Sequence, residues 1–103
     1  MKQTEILLTI KLHQELFIDP KRVRLLKEIK ECGSINQAAK NAKVSYKSAW
    51  DHLEAMNKIS PKPLLERNIG GKNGGGTSIT TYAERLLQLY DLLEQTQEHA
   101  FHI

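Results

Sequence analysis

Hydrogen-bonding chemistry is densest in this sequence at Ser45-Tyr46-Lys47-Ser48, where three hydroxyls and one primary amine follow one another. Such a set makes a poor nucleophile without a neighbouring base. It makes good partners for phosphate oxygens and for the edges of nucleic-acid bases. Lys47 suits a guanine edge or a phosphate, and the hydroxyls of Ser45, Tyr46 and Ser48 suit either. An ordinary helical hairpin with a solvated lysine would carry the same letters, so the surrounding elements have to decide. Trp50 follows closely. Indoles usually bury their rings and find a partner for the N–H, so packing is the first reading of Trp50 and direct contact with a ligand the second.

A second concentration is the loop GGKNGGGTS, Gly70 to Ser78, with five glycines. A phosphate-cradling P-loop needs lysine directly after its last glycine. Here Lys72 comes early and Thr77 follows Gly76, which argues against a nucleotide site. A glycine-rich tip with exposed backbone N–H groups and Lys72 can still approach a phosphate backbone or a minor groove, or be a plain connection. His13, His52, His99 and His102 are scattered, with only the last two close together, and no cysteine lies near them. No metal site is expected. No local signature joins a nucleophile to a base and an acid, so the chain reads as a non-enzyme with no cofactor.

The elements that must position these residues follow from caps and periodicity. Residues 6–12 (ILLTIKL) alternate at Leu8, Ile10 and Leu12, as a half-buried strand does. Asp19 before Pro20 gives an N-cap and a proline at the first helical position. Val23, Leu26, Ile29 and Cys32 then form an apolar stripe, and Gly33 ends this first helix. Ser34 with Gln37 reads as a capping box, opening a short second helix to Asn41 whose Ala38 and Ala39 allow close approach. Asn41 to Val44 reads as a tight turn. Ser45 is the N-cap of a third helix to about Lys58, with Ala49, Leu53 and Met56 on its buried side and Lys47, Asp51, Glu54 and Lys58 opposite.

Two short helices joined this way form a helix-turn-helix, whose second helix can enter a major groove. Pro61 and Pro63 stop the third helix. Leu64 to Ile69 and Ser78 to Thr80 then read as two strands flanking the glycine loop, a wing. Thr81 with Glu84 opens a last helix, in which Tyr82, Leu86, Leu89, Leu93, Thr96 and Ala100 follow the spacing of a coiled-coil seam. Leu87, Tyr90 and Leu92 widen the apolar surface, so that one face suits the domain and another a partner.

At 103 residues, with 40% hydrophobic and 26% charged residues, the chain has the composition of one globular domain. The net charge of +3 is uneven. Residues 36–80 carry seven Lys/Arg against three Asp/Glu, whereas residues 81–103 set Arg85 against Glu84, Asp91, Glu94 and Glu98. The middle is built to meet an anion and the end to meet protein or water. One cysteine excludes an internal disulfide. No targeting or membrane-spanning segment is seen, so a cytoplasmic location is expected.

The stretches GSINQAAKNAKVSYKSAWDHLEAMN at 33–57, LLERNIGGKNGGG at 64–76 and YAERLLQLYDLL at 82–93 resemble the N-terminal DNA-binding domain of the ModE-type molybdate-responsive transcription regulators. The winged helix of that family is similar to that of the LysR-type regulators. LFIDPKR at 16–22 extends the likeness to nearly the whole chain. The resemblance implies a homodimer whose terminal helices pair, set on a palindromic operator. By position it implies DNA contacts from Ser45, Tyr46, Lys47, Ser48 and Trp50 on the recognition helix, from Arg67, Lys72 and Asn73 on the wing, and from Gln37 facing the backbone. Members that sense molybdate carry a separate C-terminal oxyanion-binding domain. This sequence stops at Ile103, so molybdate binding is not expected of it.

The expected fold is mainly α with a small β component: a winged helix-turn-helix with an N-terminal strand, a two-stranded wing and a long C-terminal dimerisation helix. It forms one domain over residues 1–103, with the helix-turn-helix at about 34–58, the wing at about 64–80 and the dimerisation helix at about 81–101. Tyr82, Leu86, Leu89 and Leu93 are the expected dimer contacts, and double-stranded DNA is the expected partner of a sequence-specific transcription regulator. The alternative is an interaction module that uses the terminal helix to join or modulate a full-length paralogue. A small enzyme or nucleotide binder built on the glycine loop has only that degenerate motif behind it.

Overall fold

The computed structural model describes residues 7–68 and 76–101. Its elements run β1 (Ile10–Leu12), β2 (Glu15–Ile18), α1 (Pro20–Cys32), α2 (Ile35–Asn41), α3 (Tyr46–Ile59), β3 (Leu65–Asn68), β4 (Gly76–Ile79) and α4 (Thr81–Phe101). This is the winged helix-turn-helix architecture expected from the sequence, with one addition.

The addition is β2. The N-terminal strand finds its partner within the next few residues, as an antiparallel hairpin pairing Lys11 with Leu16 and Leu12 with Glu15. His13 and Gln14 form its two-residue turn, at φ 52° and 68°. A turn of that kind needs positive φ at both central positions and usually recruits Asn-Gly. The absence of that pair is why the hairpin does not stand out in the sequence.

Helix α1 begins and ends as its sequence indicates. Asp19 Oδ1 accepts from the Arg22 N–H at 2.8 Å, and Gly33, in the left-handed region at φ 68°, closes the last turn. Its buried side is Val23, Leu25, Leu26 and Ile29. Cys32 is exposed and does not belong to the stripe, its thiol donating to the Glu28 carbonyl. Around α1 pack Ala38 and Ala39 of α2, Ala49, Leu53 and Met56 of α3, and Ala83, Leu87 and Tyr90 of α4, with Phe17, Ile18 and Leu64 completing one core. Fully burying each larger member of this set contributes about 1.5–3 kcal/mol.

Helix α4 is capped one residue earlier than the sequence reading placed it. Thr80 Oγ1, not that of Thr81, accepts from the Ala83 N–H at 3.1 Å while donating to the Pro63 carbonyl at 2.7 Å. The helix is held to the body by Tyr90, whose hydroxyl donates to the Leu8 carbonyl at 2.8 Å. Two ion pairs to α1 add to this, Lys27–Asp91 at 2.9 Å and Lys30–Glu84 at 3.8 Å. Both are solvent-exposed, so their contribution is small.

Candidate nucleic-acid interface

The helix-turn-helix is set by three local devices. Ser34 Oγ accepts from the Gln37 N–H at 3.1 Å and starts α2, and Ser45 Oγ accepts from the Ser48 N–H at 3.0 Å and starts α3. Between them Lys43 stands at φ 59°, in the position a glycine usually fills. Val44 N–H reaches the Ala39 carbonyl at 3.0 Å and Lys43 N–H the Lys40 carbonyl at 3.1 Å. These two bonds reverse the chain sharply enough to bring α3 across α2.

Only half of the expected capping box forms at α2. The Gln37 amide, rather than reaching back to Ser34, donates to Asn41 Oδ1 at 2.9 Å. Asn41 donates in turn to Glu28 Oε1 at 2.9 Å, and Glu28 also takes Arg24 at 3.0 Å. These hydrogen bonds from Asn41 and Arg24 hold the Glu28 carboxyl below its usual pKa. Gln37 is thus exposed but already engaged along its own helix.

Helix α3 divides as its periodicity predicts. Ala49, Leu53 and Met56 are buried, and Lys47, Asp51, Glu54 and Lys58 are exposed. Ser45 and Tyr46 are exposed and Ser48 is partly covered. Lys47 Nζ pairs with Asp51 Oδ2 at 3.1 Å, one turn along. On another side His52 Nδ1 accepts from Arg22 Nε at 3.1 Å, while Arg22 Nη1 holds the carbonyls of Leu16 at 2.7 Å and Phe17 at 3.2 Å. One guanidinium therefore ties β2, α1 and α3 together. Burial, and next the charge of Arg22, push the His52 pKa below its ordinary value.

Trp50 packs as its first reading expects. It is partly buried against the core, and its ring takes Tyr46 edge-on, with centroids 6.3 Å apart. The Arg67 guanidinium from β3 lies 5.4 Å from its centroid. The wing that carries Arg67 pairs Leu65 with Ile79, Glu66 with Ser78, Arg67 with Thr77 and Asn68 with Gly76. Its base is closed by the Thr80 N–H to the Leu64 carbonyl at 3.0 Å, and by Asn57 Oδ1 accepting from the Leu64 N–H at 2.8 Å. Strand β4 is joined to the end of α1, with the Thr77 N–H donating to the Gly33 carbonyl at 2.9 Å. A Cβ on Gly76 would stand 2.9 Å from that same oxygen, so the approach requires glycine.

These elements leave a cleft of about 480 Å³ bounded by the start of α2, the first half of α3 and the wing. Tyr46, Trp50 and Arg67, all named from the sequence, line it together. Ser45, Lys47 and Ser48 sit at the same end of α3, while Lys72 and Asn73 lie outside the described residues. Asn36, Asn68 and Thr77 also line the cleft. Sequence reasoning missed them, because only the approach of wing to helix makes them neighbours.

The expected dimer residues do not share one environment. Tyr82 and Leu86 are partly buried and pack on the core, with Lys62 Nζ 5.9 Å from the Tyr82 ring centroid. Leu93 is half-buried and Leu89 is 50% exposed. Leu92, off the strict seam, is 59% exposed. Among the described residues no three His, Cys, Asp or Glu side chains gather to hold a metal ion, and no helix is long and apolar enough to cross a membrane.

Residues 20–84 match the family of bacterial regulatory helix-turn-helix proteins, lysR family. The chain is 90% identical over 103 residues to the transcriptional regulator ModE of Haemophilus influenzae, covering all of this chain and 40% of that protein. It is 57% identical over 101 residues to the DNA-binding transcriptional dual regulator ModE of Escherichia coli, covering 98% of this chain and 38% of the other. With the molybdenum-pterin-binding protein MopB of Rhodobacter capsulatus it shares 42% identity over 73 residues, which is 71% of this chain and 27% of that one. The chain thus spans at most two fifths of the length of these relatives.

Proposed function

The chain belongs to the lysR family of bacterial regulatory helix-turn-helix proteins, and from that premise we propose that it binds double-stranded DNA as the DNA-binding part of a ModE-like transcription regulator. In this reading residues 34–58 are the helix-turn-helix, 64–80 the wing and 81–101 the dimerisation helix of a single domain. Helix α3 enters the major groove with Ser45, Tyr46, Lys47 and Ser48, the wing follows the backbone with Arg67, Lys72 and Asn73, and Gln37 faces phosphate. The observation that carries the reading is the cleft that unites the start of α3 with the wing, lined by Tyr46 and Arg67.

Two copies joined through α4 would set two such surfaces on a palindromic operator. Exposed Leu89 and Leu92 support that joining. A partner of this kind places the protein in the cytoplasm. Molybdate is not assigned to this chain: the molybdenum-related names belong to relatives of which it covers a minor part.

The test is selection of bound fragments from genomic DNA by the purified protein, with and without molybdate, followed by titration of the enriched duplex across salt concentrations. A palindromic site enriched equally in both, with affinity falling steeply as salt rises, is the expected result. Binding insensitive to salt would overturn it. The same exposed leucines also suit a second reading, a module that pairs with a longer paralogue. No enriched site, together with heterodimer formation, would favour that one.

A further inference from the structure

The Trp50–Arg67 contact joins the two halves of the surface. Arg67 belongs to β3 and Trp50 to α3. The indole also meets the edge-on ring of Tyr46, one turn back along α3. Trp50 thus stands where the recognition helix meets the wing, with the guanidinium over its ring.

Among the described residues the ion pairs are Arg24–Glu28, Lys27–Asp91, Lys30–Glu84 and Lys47–Asp51, and Arg67 enters none of them. Its charge is therefore held in place by an aromatic face with no carboxylate to neutralise it. A guanidinium is planar and carries five N–H donors, so one lying over a ring can still offer two parallel hydrogen bonds to an oxyanion. The cleft beside it is walled by Asn36, Asn68 and Thr77, neutral groups able to hydrogen-bond oxygen without repelling negative charge. The bond from Thr77 to Gly33 keeps the far wall in position, so the cleft exists before anything enters it.

We propose that Trp50 is a positioning residue that holds Arg67 as the cation for one DNA phosphate seated in the cleft between α3 and the wing, with Asn36, Asn68 and Thr77 as that phosphate's other neighbours. This rests on the DNA-binding reading and adds to it. Trp50 acts through Arg67 rather than by reading a base, and the phosphate it serves is gripped by helix and wing at once.

The test uses the whole chain, a fluorescein-labelled duplex and the variants Trp50→Leu, Trp50→Phe, Arg67→Ala and the Trp50→Leu/Arg67→Ala pair, each checked for folding by circular dichroism. Binding is read by anisotropy over a range of salt. Losing one phosphate contact makes the log–log salt slope shallower by about one per bound protomer, hence by about two for a dimer on a two-half-site duplex. Arg67→Ala and Trp50→Leu are each expected to show that change and about a tenfold loss of affinity at low salt, the order expected for one charge-assisted contact. The pair should lose no more than either single variant, and Trp50→Phe should keep the parent slope.

A merely structural role for Trp50 lowers the competent fraction without changing the slope. Trp50 is the chain's single tryptophan, so its emission reports on the cleft directly and should change on DNA addition in the parent but little in Arg67→Ala. The inference is overturned, with DNA binding intact, if Trp50→Leu keeps the parent slope, if Arg67→Ala keeps it, or if the two losses add. If the parent binds no duplex at all, the DNA-binding reading falls and this inference falls with it.

Discussion

Lys47 and Asp51 sit one turn apart on the exposed side of α3, and in the free protein their charges face each other at 3.1 Å. Both are largely solvated, so the pair adds little to stability. Its consequence is for the proposed binding: in that reading Lys47 must leave Asp51 to reach a base edge or a phosphate, and Asp51 then stands as a negative charge near the DNA. Asp51→Ala is expected to tighten binding about threefold at low salt, a gain that fades as salt rises. Lys47→Ala should weaken binding about tenfold and relax base preference, the scale of one specific contact. Titration of matched and mismatched duplexes checks both.

His52, two residues beyond Trp50, sets a second prediction. Its Nδ1 accepts from Arg22, which requires the neutral ring, and burial with the charge of Arg22 holds its folded pKa below the ordinary 6.5. The unfolded chain therefore takes up a proton first as pH falls. The stabilisation is complete above about 6.5 and is lost as pH drops from there through the lowered folded value. Melting temperature should fall over that interval in the parent. In His52→Asn, which keeps an acceptor but does not titrate, that part of the slope should vanish.

Element starts were legible because they depend on neighbours in sequence. Asp19, Ser34 and Ser45 each accept the backbone N–H three residues on, and Pro20 and Gly33 mark the two ends of α1. What depends on distant residues was not legible. Strand β2 reads as a lead-in to α1 until its pairing with β1 is seen. Arg67 and Trp50, seventeen positions apart, give no sign in the letters that they touch. The sequence also placed the α4 cap one residue late, because Thr80 and Thr81 are equivalent as letters and only the reach to Pro63 separates them. At the β1–β2 turn, Gln14 holds φ 68° without being glycine. Gln14→Gly is expected to raise stability by about 1 kcal/mol by relieving that conformation, which chemical denaturation would measure.

For the whole molecule, the proposed assembly rests on α4. Ala83, Leu87 and Tyr90 spend one side of the helix on the core, and Leu89 and Leu92 are left at 50% and 59% exposure. Leu89→Glu with Leu92→Glu should leave the fold intact, since neither side chain is buried, and should yield a monomer in analytical ultracentrifugation. Loss of the dimer would weaken binding to a two-half-site duplex far more than to a single half-site. An unchanged sedimentation coefficient would place the contact elsewhere.

The bond from Thr77 to the Gly33 carbonyl links the wing to α1. A two-stranded ribbon of this length is marginal by itself. Because its second strand shares a carbonyl with the closing turn of α1, it cannot open freely while that turn is formed. In hydrogen exchange, the Thr77 amide should accordingly share the protection of the α1 C-terminus rather than that of a loop. Wing and helix then form one cooperative unit, so a substitution that frays the end of α1 will be felt as slack in the wing before it is felt as loss of the fold.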